Sequence, residues 1–153
     1  MPGAGMHQLG GWPAGVECVA ENVLVVDNTN LRVQAIPVSC PQSPCNISTF
    51  ASNLGWPLGI AKVRENILIT LDATIESFSL NGSHNHTWSI QQDCGYLVHH
   101  ENNVFVADRN IISFDAGCQG SDCKSSMVWT ASQGVLVYGA ITYITRPSAF
   151  HSG

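Results

Sequence analysis

The sequence predicts an all-β fold built from a repeated unit of four strands. Three features carry this prediction: short apolar segments without helical periodicity, turn-forming residues between them, and a pattern that recurs along the 153 residues. Only 11% of the residues are charged, whereas 44% are hydrophobic. This balance favours many short strands joined by polar turns, because long surface helices carry more Lys and Glu.

The repeat is visible when two stretches of the chain are compared directly. Residues 11–36 read GWPAGVECVAENVLVVDNTNLRVQAI, and residues 55–80 read GWPLGIAKVRENILITLDATIESFSL, so the two align without a gap. A third copy, GYLVHHENNVFVADRNIISFDA, begins at Gly95, and a partial fourth begins at Gly134. Self-similarity at a period of roughly 40 residues indicates a repeat architecture.

The local pattern inside each unit indicates strands, because apolar segments of roughly four to eight residues alternate with Asn, Asp, Thr or Gly. In the second unit we expect strands A to D at 59–64, 66–71, 75–80 and 86–90. Four antiparallel strands per unit is the pattern of a propeller blade. The sequence therefore predicts a partial β-propeller of about three and a half four-stranded antiparallel blades, with a β-sandwich or solenoid as the alternative.

The whole chain is expected to form a single β-propeller segment, 1–153. Its repeat units are placed at about 9–53, 54–92 and 93–133, with the partial fourth unit at 134–153.

The units resemble blades of the quinoprotein-like (PQQ-repeat) propeller superfamily over most of the chain. The resemblance rests on SFSLNG at 77–82 followed by Trp88, and on SFDAG at 113–117 followed by Trp129. In that family an outer-strand tryptophan docks onto a glycine-containing turn and ties adjacent blades together, which is the role that the resemblance implies for these two tryptophans. The chain departs from the pattern in a cysteine-containing insertion before Trp129 and in the absence of an outer-strand tryptophan from the first unit.

Cysteine spacing favours an oxidising compartment, since two pairs each bracket a short, turn-rich loop. We expect a disulfide between Cys40 and Cys45 and another between Cys118 and Cys123. The pairing of Cys18 and Cys94 is left open.

Three N-x-S/T sequons, at Asn46, Asn81 and Asn85, add glycosylation to this expectation. We therefore expect a secreted, extracellular glycoprotein, with free thiols and unused sequons in a cytosolic protein as the alternative. The first residues lack a charged and apolar leader, so the signal is expected upstream of this segment.

Charge argues against nucleic acid and membranes as partners. The formal net charge is −5, and no Lys/Arg cluster offsets it locally. No apolar run approaches the roughly 18 residues that span a bilayer, so membrane insertion is not expected either.

The candidate binding residues follow from blade geometry. In a four-stranded meander, the D–A and B–C loops leave one face of the disc, and the A–B and C–D loops leave the other. Both GWP motifs precede a strand A, so we place them with the B–C turns in one candidate binding face comprising Trp12, Trp56, Asp27, Asp72 and Asp108. The alternative, which we favour, is that each Trp-Pro plugs the gap between blades as part of the core.

No catalytic set is expected. The repeated Glu-Asn, at 21–22, 65–66 and 101–102, is assigned to A–B turns, where Asn tolerates left-handed geometry, rather than to acid–base chemistry. The adjacent His99 and His100 point to opposite faces of a strand, and His84 and His86 lie in a sequon-bearing loop. We therefore predict no metal site and no cofactor.

Two function classes remain. The first is a non-enzymatic extracellular binding or scaffold module within a larger protein; the alternative, implied only by the resemblance, is part of a quinoprotein-type (PQQ-dependent) oxidoreductase propeller. The protein or small-molecule ligand is unknown. Because an incomplete ring exposes sheet edges, missing blades or a second copy are needed to cover them, and the chain alone is expected to oligomerise.

Overall fold

A computed structural model of the protein describes residues 8–41, 45–90, 95–107, 110–118, 123 and 125–130. This part of the chain forms three antiparallel sheets of four strands, each in consecutive order, with a 3-10 turn at Asn28–Asn30. The predicted all-β fold with propeller-like blades is confirmed. The partial fourth unit, 134–153, lies outside the described residues, and the predicted unit boundaries stay predictions.

The twelve described strands are distributed equally over the three blades. Blade 1 contains β1 (Pro13–Val19), β2 (Asn22–Asp27), β3 (Arg32–Pro37) and β4 (Ser48–Ala51). Blade 2 contains β5 (Ile60–Val63), β6 (Asn66–Thr70), β7 (Thr74–Ser79) and β8 (His84–Ser89), so the second unit follows the predicted order with ends shifted by one or two residues. Blade 3 contains β9 (Tyr96–His100), β10 (Asn103–Ala107), β11 (Asn110–Asp115) and β12 (Ser126–Thr130).

The hydrophobic core lies between the sheets. Side chains alternate across each strand, so one strand serves two joints: Ile67 and Ile69 of β6 pack towards blade 1, and Leu68 packs towards blade 3. The apolar residues at these joints are almost completely buried, which gives each joint the character of a domain core.

The first strand of each blade lies innermost. Strand β5 packs beside β1 on one side and beside β9 on the other. Glycine at the start of these strands permits the approach, because a Cβ on Gly59 would lie 2.9 Å from the Leu97 nitrogen and one on Gly15 would lie 2.9 Å from the Leu58 oxygen. The repeated glycines of the sequence therefore mark where neighbouring blades come closest.

Aromatic side chains join the outer parts of neighbouring blades. Trp88 of β8 lies 6.1 Å, between ring centroids, from Phe114 of β11. In the first unit, which has no outer-strand tryptophan, Phe50 of β4 makes the corresponding contact with Phe78 at 6.2 Å. A Cβ at Gly82, where φ is +86°, would strike the Phe50 carbonyl oxygen, so Phe50 sits on a glycine turn of the next blade.

The turns between the first and second strands correct one detail of the prediction. The left-handed residue in these turns is Ala20, Arg64 or Glu101, and not asparagine. Asn66 already belongs to β6, where its backbone pairs with Val63 and Ser79. The Glu-Asn dipeptide thus marks the turn, but its Asn is not there for left-handed geometry.

Two disulfides close the loops between third and fourth strands, as predicted, joining Cys40 to Cys45 and Cys118 to Cys123. Cys18 is a free, exposed thiol on β1, and Cys94 lies outside the described residues. No helix in the described part of the chain has the length and apolar character needed to cross a membrane.

Candidate functional site

The GWP face comprises the two GWP motifs, at 11–13 and 55–57, and the turns between second and third strands. Both indoles project outward, with Trp12 74% exposed and Trp56 52% exposed. Pro57, in contrast, is fully buried. The preferred sequence interpretation, in which each Trp-Pro plugs the gap between blades, stays a prediction. In the second motif Pro57 is buried beside the half-exposed Trp56, whereas in the first motif both Trp12 and Pro13 are exposed.

The backbone beneath Trp56 is fixed by hydrogen bonds on both sides. The Asn28 side chain donates from Nδ2 to the Pro57 carbonyl at 2.7 Å, which connects the turn after β2 to the segment that precedes β5. The Leu58 amide donates to the Thr70 carbonyl, and the Leu54 amide donates to the Leu31 carbonyl, each at 3.0 Å. An exposed indole is thus held on a rigid segment, which limits the entropy lost on binding.

Asp27, at the end of β2, is fully buried under this face. Its Oδ1 accepts from the Gly10 amide, and its Oδ2 accepts from Asn30 Nδ2 and Arg32 Nε, all at 2.9 Å. Burial by itself raises the pKa of Asp27, but the hydrogen bonds and the charge of Arg32 outweigh it and hold the pKa below its usual 3.8. These contacts give Asp27 a structural role, and its contact with a partner stays a prediction.

Of the other two predicted carboxylates, Asp72 and Asp108, the structure describes only Asp72. Asp72 is exposed in the turn between β6 and β7, on the same face as Trp56. Asp108 lies outside the described residues. The structure therefore places Trp12, Trp56 and Asp72 on the surface of the GWP face, with Asp27 beneath it.

An axial groove of about 680 Å³ runs along the three innermost strands. Pro13, which directly follows Trp12, lines the groove, so the groove is continuous with the GWP face. Most of the wall is apolar. Its polar side chains are Glu17, Lys62, Tyr96 and His99.

Glu17 connects two blades at the groove. Its Oε2 accepts from the Lys62 amide of β5 at 2.9 Å, and its Oε1 accepts from the Cys18 amide at the same distance. His99 Nε2 is buried and has no hydrogen-bond partner among the described residues. The groove was not anticipated from the sequence, although glycine at the start of each inner strand is the signal that points to it.

The opposite face contains the disulfide loops and the sequons. Asn46 directly follows Cys45, Asn81 lies in the turn between β7 and β8, and Asn85 lies in β8; all three are exposed. Arg64 donates to Asn102 Oδ1 at 2.8 Å, which ties blade 2 to blade 3 on this face. Whether the sequons are glycosylated stays a prediction.

No metal centre is found in the described residues, where no three His, Cys, Asp or Glu side chains group suitably. His84 Nε2 lies 2.7 Å from Glu76 Oε2, and the His86 ring contacts Trp88. The two histidines of the H-x-H sequence therefore have different neighbours.

Comparison with solved structures supports the fold. The chain is similar to hydrazine synthase of Kuenenia stuttgartiensis, with a TM-score of 0.56, 8% identity, and coverage of 69% of this chain and 33% of that one. It is also similar to a luciferin-regenerating enzyme (0.55, 14%, covering 75% and 42%) and to the computationally designed Ika8 protein (0.51, 13%, covering 67% and 32%). The chain spans less than half of each of these structures.

At such low identity these similarities concern the fold alone. No family model and no curated protein sequence matches the chain. Fold and geometry together define an all-β protein of propeller-like blades with an exposed aromatic face and an axial groove.

Proposed function

We propose that this chain is a non-enzymatic binding segment of an extracellular propeller, which engages its partner through the GWP face and the adjoining groove. The observation that carries the proposal is the exposure of two indoles on a hydrogen-bonded backbone. Tryptophan is enriched among the residues that dominate binding energy at interfaces. Both exposed rings lie on the GWP face, where they offer a partner large aromatic area to bury.

The extracellular part of the proposal is supported by the two disulfides. Disulfides persist in oxidising compartments and are rare in the cytosol. Glycosylation at Asn46, Asn81 and Asn85 belongs to the same proposal. Membership of the quinoprotein-like superfamily, and with it the oxidoreductase alternative, stays a prediction.

Binding is tested with the full chain immobilised and a panel of purified extracellular proteins in solution, measured by biolayer interferometry. For any protein that binds, W12A and W56A are expected to weaken binding at least tenfold each, without changing the melting temperature. Leu80→Ala, which removes an exposed apolar side chain on the opposite face, is the matched control and is expected to change neither. Binding that survives W12A/W56A would overturn the proposed face.

A further inference from the structure

A second cavity, of about 290 Å³, lies at the joint between blades 2 and 3. Strand β8 contributes Asn85, His86 and Trp88 to its wall, and the segment after β11 contributes Ala116 and Cys118. Its volume is near the lower end of the roughly 300–1,000 Å³ typical of small-molecule sites. The cavity is separate from the axial groove, since the two share no lining residue.

Two polar atoms on this wall are buried without a hydrogen bond. Nε2 of His86 and Nε1 of Trp88 have no partner among the described residues. The two rings contact each other edge to face, with centroids 5.1 Å apart. An indole N–H can only donate, so an unused donor lies buried within this wall, and the Trp88 ring lines the cavity.

Asn85 connects this wall to a sequon. Its Nδ2 donates to Asn66 Oδ1 at 3.0 Å, which uses one of the two amide hydrogens and leaves the other for substitution. In the β7–β8 pairing, Ser77 lies opposite His86, but the next residue, Phe78, lies opposite His84, so the register shifts at Asn85. This irregularity takes Asn85 out of the regular alternation and allows it to share the cavity with His86.

We propose that the first N-acetylglucosamine of a glycan on Asn85 occupies this cavity, a proposal that rests on the extracellular function proposed above. Attachment forms a bond between Asn85 Nδ2 and C1 of the sugar, while the bond from C1 to the diphosphate oxygen of the lipid-linked donor breaks. The amide loses one proton, and the lipid diphosphate is the leaving group. The sugar ring packs on the Trp88 side chain, which lines the cavity. The acetamido methyl group packs against Val63 and Leu68, which also line the cavity.

The other sequons do not offer this arrangement. The Asn81 side chain is engaged in its own turn, where Oδ1 accepts from the Ser83 amide at 3.0 Å. Neither Asn46 nor Asn81 lines the cavity. Their glycans are therefore expected to extend into solvent and to serve as internal controls.

The test uses the full chain secreted from eukaryotic cells and treated, without denaturation, with an amidase that cleaves the glycan–asparagine bond. We expect the glycans on Asn46 and Asn81 to be released, and the glycan on Asn85 to be cleaved at least tenfold more slowly than these, as measured by peptide mass spectrometry. After unfolding, all three sites should be cleaved. Ala116→Leu, which fills the cavity, is expected to make Asn85 cleavable, whereas Ala73→Leu in an exposed turn should not.

The outcomes separate this inference from the proposed function. Equal cleavage at all three sites, or occupancy of Asn46 and Asn81 with none at Asn85, overturns the inference alone. No occupancy at any sequon overturns the extracellular proposal as well. Thr87→Val removes the sequon, and this variant is titrated with free N-acetylglucosamine while the indole NMR signal of Trp88 is followed. A shift of that signal, together with a cleavable Asn85 glycan in the wild type, would assign the cavity to a free ligand instead.

Discussion

Buried polar side chains hold together the connections between strands and blades in this protein. Asp27 connects the turn after β2 to the Gly10 amide, and Asn28 connects the same turn to the Pro57 carbonyl before β5. The Thr70 hydroxyl accepts from the Gly59 amide at 2.7 Å and donates to the Gly95 carbonyl at 2.5 Å. These contacts are directional, so they set where each blade begins relative to its neighbour.

Asp27→Asn is expected to lower the free energy of unfolding by about 2–4 kcal/mol at pH 7, because it removes the carboxylate that pairs with the Arg32 guanidinium at 2.9 Å. Urea denaturation provides the measurement. Asp72→Asn, at an exposed position, is the control and should change stability by less than about 0.5 kcal/mol. An equal effect of the two substitutions would contradict the structural role of Asp27.

The contribution of Asp27 should depend on pH in a defined direction. Its pKa is lowered in the folded protein, so the stabilisation is complete above the unfolded-state value of about 3.9 and is lost as the pH falls through the lower folded value. The difference in unfolding free energy between the wild type and D27N should therefore shrink below about pH 4. A difference that stays constant down to pH 2 would mean that the charge of Asp27 is not responsible.

Gly59→Ala is expected to destabilise the protein by about 1–3 kcal/mol, since the new Cβ would lie 2.8–3.0 Å from Thr70, Leu97 and Gly95. Gly55→Ala is the matched control, because its Cβ would make only ordinary contacts of 3.7 Å or more. Thermal unfolding of both variants checks the prediction. Similar melting temperatures for the two would argue against close approach of the inner strands.

At the scale of strands and sheets, each joint between blades combines an inner glycine contact with an outer aromatic contact. Phe50 with Phe78 and Trp88 with Phe114 occupy the corresponding positions in successive joints. In blade 2, Trp88 of β8 pairs with Ile75 of β7. At the corresponding position of blade 1, the residue of β4 that pairs with β3 is Ala51 and not Phe50. The contact is preserved because the irregular register of β4 brings the neighbouring ring into the joint.

Phe78→Ala is expected to cost about 3–4 kcal/mol, because it empties a buried site at the first joint. In a double-mutant cycle with F50A we expect a coupling energy of about 0.5–1.5 kcal/mol, the usual value for an edge-to-face aromatic pair. The cycle is measured by chemical denaturation. Additive effects of the two substitutions would show that the rings do not interact across the joint.

Strand order, sheet composition and the two local disulfides could be predicted from the sequence, because they depend on local patterns. Alternation, turn residues and short cysteine spacing all act over a few residues. In the second unit, β5 to β8 begin and end within two residues of expectation. The repeat carries the same four-strand order to the other two described sheets.

Features that depend on contacts between blades could not be predicted in this way. Nothing local distinguishes the exposed Trp56 from the buried Pro57 beside it. The same is true of Phe50, whose role follows from a register shift, and of Asp27, whose partners at Gly10 and Arg32 are brought together only by folding. In the third unit, both Asn102 and Asn103 match the asparagine of the repeat, but only Asn103 begins β10 as Asn66 begins β6. The sequence alignment of this turn with the second unit is therefore wrong by one residue.

At the scale of the molecule, three blades describe part of a ring. Val16, at the wall of the axial groove, is 64% exposed, and Met127 and Val128 are exposed on β12. We propose that further blades, or a second copy of the chain, cover these surfaces. Uncovered apolar sheet surfaces favour association.

The isolated chain is accordingly expected to oligomerise, as light scattering at increasing concentration would show. Val16→Lys should shift the distribution towards the monomer, because a charge on this surface opposes apolar association. Val38→Lys, at an exposed residue just after β3, is the control. A monodisperse wild-type monomer at all concentrations would contradict the proposal.

The central claim is that the blades share one axis, with β1, β5 and β9 innermost and side by side. A crystal structure of the purified chain tests it most directly. We expect Gly15 against Leu58 and Ile60, and Gly59 against Gly95 and Leu97, with β4 and β8 at the periphery. A continuous sheet in which β4 pairs with β5 and β8 pairs with β9, or blades stacked in a line, would contradict the account.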